Sequence, residues 1–249
     1  INSIGFFYSS ITEFLGFKAL RHEGKITGLA AYGTKKYENV VSPVILSHDG
    51  FTFKNNLIDN YENTSRLFLI FKFATQNIKF FWKNLLNNSA LELRYYQYKL
   101  TNFISKNFKN ESKENIAKYA QCTLENKVND LVLNTLKVQN SDNICLSGGV
   151  FANVKLNQTI YEKTKKNIFI MPGMDDGGLS IGAALHVYEE KSGLQAKENF
   201  DDIYFGPKYA DDEILSQLNK FNFKFEKIDN IEKKIASYLH EGFIIGRFN

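Results

Sequence analysis

The sequence predicts an α/β fold, on the strength of a repeated strand–glycine loop–helix unit and the long amphipathic helix that precedes it. In the first unit a short strand, Asn143–Leu146, runs into Ser147-Gly148-Gly149 and then into a helix from about Phe151. In the second, Asn167–Met171 runs into Pro172-Gly-Met-Asp-Asp-Gly-Gly178, followed by a helix from Leu179 to about Glu190. Strands alternating with helices in this way are the signature of α/β architecture. Ahead of both units, Ile116, Tyr119, Ala120, Leu124, Val128, Leu131, Val132 and Leu136 form a stripe with helical period over residues 113–138.

The remaining elements follow from the same rules. Phe6, Phe7, Ile11, Phe14 and Leu15 predict a helix within residues 1–20 that stops at Gly16. Residues 22–33 place a short helical core between glycine-containing turns, and residues 37–56 predict a strand pair around His48-Asp49-Gly50. Residues from about 55 to 110, rich in Asn, Lys and aromatics, carry no chemical motif. They read as a helical insertion whose pairs Phe80-Phe81 and Tyr95-Tyr96 serve packing or a lid. Residues 191–202 are polar and aperiodic and read as a linker. Residues 203–249 read as a new α/β piece with helices at 211–219 and 231–241 and strands at 223–228 and 243–246. The chain opens without Met in an apolar run and stops at Phe243-Ile-Ile-Gly-Arg-Phe-Asn249, so more sequence is expected on both sides.

Composition excludes several functions. Hydrophobic residues make up 43% and charged residues 23%, the balance of a globular protein. A net charge of +4 from 31 basic and 27 acidic residues is too small and too dispersed for a nucleic-acid surface. The densest group, Lys163, Lys165 and Lys166, reads as the solvated end of a helix. The most apolar stretch, Leu67–Trp82, is interrupted by Lys72, Gln76, Asn77 and Lys79 and is too polar for a membrane span. Cys122 and Cys145 lack ligand spacing and read as small buried apolar residues in a reducing, cytoplasmic setting.

The chemistry concentrates in three glycine-bearing segments. Gly148-Gly149 lets the backbone approach a ligand, and the helix that follows offers free N–H groups to an anion; a tight turn is the plainer reading. Asp175 and Asp176, between a strand end and a helix start, can hold a cation that sits on polyphosphate oxygens, or they can cap the helix. Glu23-Gly-Lys25, with Gly28 and Gly33, offers a lysine that reaches a phosphate as a point charge, or a surface lysine in a turn. The Walker A spacing is absent, as are GxGxxG, HExxH and GxSxG. Of the four histidines, His22 alone falls in a candidate site. Paired glycine loops at strand ends favour a nucleotide cleft.

Taken in order, these segments resemble the carbamoyltransferase family, which includes the nodulation-factor and antibiotic O-carbamoyltransferases. The family phrase EGKxMGLAxYG stands here as Glu23-Gly-Lys-Ile-Thr-Gly-Leu-Ala-Ala-Tyr-Gly33, with Thr27 for the usual Met. Phe6–Thr12 resembles its tyrosine–serine–threonine helix, and Leu146–Asn153 its GGVxxN loop. Pro172–Ala184 resembles its Asp-containing loop, and Gly206-Pro-x-Tyr209 the opening of its C-terminal domain.

The resemblance implies an actin-like ATPase domain over residues 1–190, interrupted by the insertion at about 55–110. After the 191–202 linker it implies the start of a threonylcarbamoyl-adenylate-synthase-like domain over 203–249. It also implies two-step chemistry. Carbamoyl phosphate and ATP give carbamoyl-adenylate, phosphate and pyrophosphate, and the carbamoyl group then passes to an acceptor hydroxyl with release of AMP. Residue by residue it assigns Gly148, Gly149 and Asn153 to the nucleotide, and Glu23 and Lys25 to ribose or phosphates. Lys25 and Asp175 become the expected catalytic residues, and Asp175, with Asp176 as the alternative, the metal ligand. The implied metal is Fe(II), with Mg2+ accompanying ATP as the other choice. The acceptor is a hydroxyl-bearing small molecule or sugar, neither nucleic acid nor membrane is an expected partner, and a homodimer is compatible.

In the resemblance, the family's metal-binding histidines lie ahead of residue 1, and its GRxEFGxRALG segment, a carbamoyl phosphate site, begins after Phe248. The chain alone is therefore expected to be inactive. The competing readings are a tRNA threonylcarbamoyl-transfer enzyme, a non-catalytic nucleotide-binding member and, more weakly, a sugar kinase of the same fold.

Overall fold

The computed structural model describes residues 2–34, 37, 40, 42–57, 91–195, 203, 204 and 206–247, with side chains described from Tyr96 onward in the helix that begins at Leu91. Contacts divide the chain into two units, Ile1–Ser192 and Gly193–Asn249.

In the first unit, α1 (Ile4–Phe14) opens on Ser3, whose hydroxyl accepts from the Phe6 amide, and ends before Gly16 at φ 88°. The helix α2 (Glu23–Ala30) follows. Strands β1 (Val44–Leu46) and β2 (Phe53–Asn55) form an antiparallel hairpin, with Val44 opposite Asn55 and Leu46 opposite Phe53. The expected strand pair is present but begins at Val44; Val41 lies outside the described residues.

Helix α3 (Leu91–Asn107) carries the described part of the expected insertion. Its Tyr96, Leu100 and Ile104 are buried, and Phe108 beyond its end joins them, so this portion packs on the core. Residues 58–90, including Phe80-Phe81 and the apolar stretch from Leu67, lie outside the described residues.

The long helix α4 (Lys113–Val138) starts at Ser112, whose hydroxyl caps Asn115 N–H. It runs through the middle of the core. Ile116, Tyr119, Ala120 and Leu124 join Phe7, Ile11, Ile26, Leu100 and Ile104 there. Further along, Val128 lies in the same cluster as Leu156 and Ile160 of α5 (Val154–Thr164).

Strands β3 (Asn143–Leu146) and β4 (Asn167–Ile170) pair in parallel, Asn143 beside Asn167 and Leu146 beside Ile170. Helix α6 (Leu179–Ser192) follows β4. Ile144, Leu146, Ile168 and Ile170 face the core, and the alternating residues Cys145 and Phe169 face outward. Both cysteines are exposed free thiols, which corrects the expectation of burial. Cys145 is exposed because strand alternation puts it opposite the core-facing Ile144 and Leu146.

The second unit contains α7 (Asp211–Lys220) and α8 (Ile231–His240). Glu213 accepts from the Ala210 amide, Asn230 caps Lys233 N–H, and Lys227 pairs with Asp211 at 2.7 Å. The strands expected at 223–228 and 243–246 are not formed among the described residues. A strand exists only when its amides find a ladder partner, and none is present here. Among the described residues the architecture is thus mixed α/β, mostly helical, with two small sheets. No described helix is long and apolar enough to cross a membrane.

Candidate functional site

Parallel register is what brings the two glycine loops together. Because Leu146 and Ile170 are level across the ladder, both chains leave the sheet at the same edge. Gly148 N–H then donates to the Met174 carbonyl at 2.7 Å, joining one loop to the other. Gly148 sits at φ 110°, ψ 147°, a conformation that only glycine adopts readily. A Cβ at Gly148 or Gly149 would meet no atom of the described residues within 4 Å, so the space in front of both is open among them. In the second loop the packing is opposite: a Cβ at Gly178 would collide with the Gly173 carbonyl oxygen.

Asp175 and Asp176 are exposed beside this junction. The Asp175 carboxylate accepts from Gly177 N–H at 2.9 Å, capping the turn Asp176–Gly178 that leads into α6. Capping, the plainer of the two sequence readings, is therefore realised. No group of three or more His, Cys, Asp or Glu side chains capable of holding a metal occurs among the described residues. These residues do not by themselves fit the implied metal.

After the first loop, a 3-10 turn at Gly149–Ala152 precedes α5, so the α-helix starts three residues later than the sequence suggested. Asn153 is the reason: its Oδ1 accepts from Leu156 N–H at 3.0 Å and caps α5. Asn157 Nδ2 donates back to the Phe151 carbonyl at 2.7 Å and holds the turn. Asn153 also pairs amide to amide with Gln121 of α4, Nδ2 to Oε1 at 2.8 Å and Nε2 to Oδ1 at 3.1 Å. Its Nδ2 further reaches Thr27 Oγ1 of α2 at 3.3 Å.

Tyr8 of α1 completes the set, donating to Gln121 Oε1 at 2.8 Å with Thr27 Oγ1 at 3.0 Å. Burial pushes the Tyr8 hydroxyl up to about 12, against the opposing pull of its hydrogen bond with Thr27.

Glu23, the first residue of α2, is bound inward: Oε1 accepts from Ser9 Oγ at 2.7 Å and from Leu20 N–H at 2.6 Å. This fixes the 17–22 loop, in which Leu20 takes φ 61°. Lys25 is exposed, and its ammonium lies 5.6 Å from the centre of the Phe17 ring. Lys113 approaches the same ring at 5.9 Å, and His22 meets it edge-on.

The fold thus brings Gly148, Gly149 and Asp175 to one loop junction and ties Asn153 to α2 through Thr27. Glu23 and Lys25 sit on α2 with contacts of their own, toward Ser9 and Phe17. Gln121 and the roles of Tyr8 and Thr27 were not singled out from the sequence. The available signal was Gln121 itself, a polar residue inside the apolar stripe of α4, at 4% exposure.

Comparison with known proteins adds the context. The family described as "Carbamoyltransferase N-terminus" matches residues 1–185. The uncharacterized protein MJ1051 of Methanocaldococcus jannaschii is 30% identical over 98% of this chain and 42% of its own length. The uncharacterized protein sll1178 of Synechocystis sp. is 27% identical over 99% of this chain and 38% of its own. Nodulation protein NolO of Bradyrhizobium diazoefficiens is 29% identical over 50% of this chain and 24% of its own. The chain therefore spans less than half the length of these relatives.

Proposed function

The chain belongs to the carbamoyltransferase family, and from that premise we propose that its parent protein is an ATP-dependent O-carbamoyltransferase. It moves a carbamoyl group from carbamoyl phosphate, by way of carbamoyl-adenylate, to a hydroxyl of a sugar or other small-molecule acceptor. The observation that supports this best is the loop junction: Gly148 bonded to Met174, with open space in front of Gly148 and Gly149. Exposed glycine backbone at a strand end, beside helix starts, suits the phosphates of a nucleotide.

On this reading residues 1–190 form the nucleotide domain, actin-like in fold, and residues 203–249 begin a second catalytic domain. Gly149 offers its backbone to ATP, Gly148, with its own N–H held by Met174, keeps the approach free of a side chain, and Lys25 swings from Phe17 to place its charge on a phosphate. Asp175, or Asp176 beside it, would supply one carboxylate toward a cation accompanying ATP, with the other ligands coming from outside the described residues. Charge placed on the phosphates stabilises the leaving pyrophosphate and then the leaving AMP. Forming carbamoyl-adenylate from carbamoyl phosphate and ATP consumes one water and releases phosphate and pyrophosphate. The 249 residues alone are inactive, and activity belongs to the longer parent.

The test uses the full-length parent with ATP, carbamoyl phosphate, Fe(II) or Mg2+, and a panel of hydroxyl acceptors. AMP and pyrophosphate, with a carbamoylated acceptor, are the expected products. If neither AMP nor pyrophosphate forms with any acceptor, the carbamoyl-transfer reading is wrong.

A further inference from the structure

The hydrogen bonds around Asn153 can be assigned proton by proton. Leu156 N–H can only donate, so the Asn153 atom facing it is the carbonyl oxygen, and the amide nitrogen must face Thr27 and Gln121. That fixes Gln121: its oxygen meets the Asn153 amide, and its nitrogen meets Asn153 Oδ1 and, at 2.8 Å, the Glu125 carboxylate. Tyr8 spends its one proton on Gln121 Oε1, so the Thr27 hydroxyl donates to Tyr8 and accepts from Asn153.

Every donor and acceptor of Asn153 and Gln121 is thereby used. Asn153 has no hydrogen-bonding capacity left for a ligand, yet it is the residue that ends the Gly148–Ala152 turn. The ring draws its members from α1, α2, α4 and the head of α5, and Gln121 is buried at its centre. With Tyr8 and Gln121 buried and Thr27, Glu125 and Asn153 half-buried, the satisfied network is stiff, because a member that moves leaves a buried partner unpaired.

We propose that Gln121 and Asn153 are positioning residues that act as one amide clamp, holding the Gly148–Gly149 loop at a fixed place relative to α2. This rests on the reading of that loop as a nucleotide site. The clamp orients the wall of the site without touching the nucleotide, and Glu125 fixes the sense of the ring by accepting at its end.

The experiment measures ATP binding to the full-length parent by calorimetry, at a temperature where every variant is folded. Gln121→Leu and Asn153→Ala are each expected to weaken ATP binding about tenfold, and the double variant no more than the weaker-binding single one, because coupled residues are non-additive. Leu124→Ala, on the same helix and in the core, is the control: it lowers stability but leaves ATP affinity within about twofold. Should Gln121→Leu fail to fold, Tyr8→Phe removes a single hydroxyl from the ring and is expected to weaken ATP about threefold. Wild-type parent that binds no ATP overturns the nucleotide reading and the clamp together. Wild type that binds ATP, with Gln121→Leu or Tyr8→Phe indistinguishable from it, overturns the clamp alone, as do single losses that multiply in the double variant.

Discussion

Gly148 and Gly149 are adjacent, yet they are glycine for different reasons. Gly148 needs its backbone conformation, whereas Gly149 lies outside the left-handed region and has open space before it. Gly148→Ala is therefore expected to destabilise the protein by roughly 1–3 kcal/mol, the cost of a side chain in a glycine-only region. Gly149→Ala should leave the urea midpoint unchanged and weaken ATP binding in the full-length parent, because its methyl group enters space that the protein does not fill. If Gly149→Ala binds ATP as wild type does, the loop does not approach a nucleotide there. The turn that these glycines make was readable from the sequence, since strand–Gly-Gly–helix is a local pattern. The role of Asn153 was only half readable. Its position after the loop marked it, but its saturation depends on Gln121, 32 residues earlier, and no local pattern reports such a pairing.

At the scale of elements, α2 and the segment that ends it make a sharper contrast. A Cβ at Gly33 would come within 2.5 Å of the Lys118 Cβ and 2.6 Å of the Glu114 carbonyl oxygen. Backbone cannot yield cheaply, so Gly33→Ala pushes the end of α2 away from α4 and should cost about 1–3 kcal/mol. Gly28 lies inside α2 and meets nothing within 4 Å. Gly28→Ala should stabilise the helix by about 0.5–1 kcal/mol. Urea unfolding at unchanged slope would separate the two, with midpoints moving in opposite directions. A lower midpoint for Gly28→Ala would mean that α2 is packed there by something beyond the described contacts. Helices and the parallel pair were legible because their periodicity and turns are written in neighbouring residues. The strands expected at 223–228 and 243–246 were not, because alternating aromatics such as Phe223 and Phe225 mark a wish for burial, and only a partner turns that into a ladder.

For the molecule as a whole, burial of tyrosines sets a limit on the alkaline side. Tyr8, Tyr96 and Tyr119 come from α1, α3 and α4 and lie in one core. Burial raises all three hydroxyls above their ordinary value of 10.0, Tyr8 to about 12. The sign follows from proton counting. Below pH 10 folded and unfolded chains both keep these protons, and the stability is fully present. As pH rises through 10 the unfolded chain releases them while the folded chain retains them, so stability falls with pH up to the folded values. For Tyr8 alone the loss approaches about 2–3 kcal/mol by pH 12. Urea midpoints measured from pH 8 to 11.5 should therefore decline steeply above pH 10. Tyr8→Phe should start lower, having lost its bond to Gln121, and then decline less steeply, since phenylalanine has no proton to release. Parallel declines for the two proteins would mean that the Tyr8 hydroxyl ionises as easily in the fold as in the unfolded chain, and that the ring around Gln121 does not exclude water.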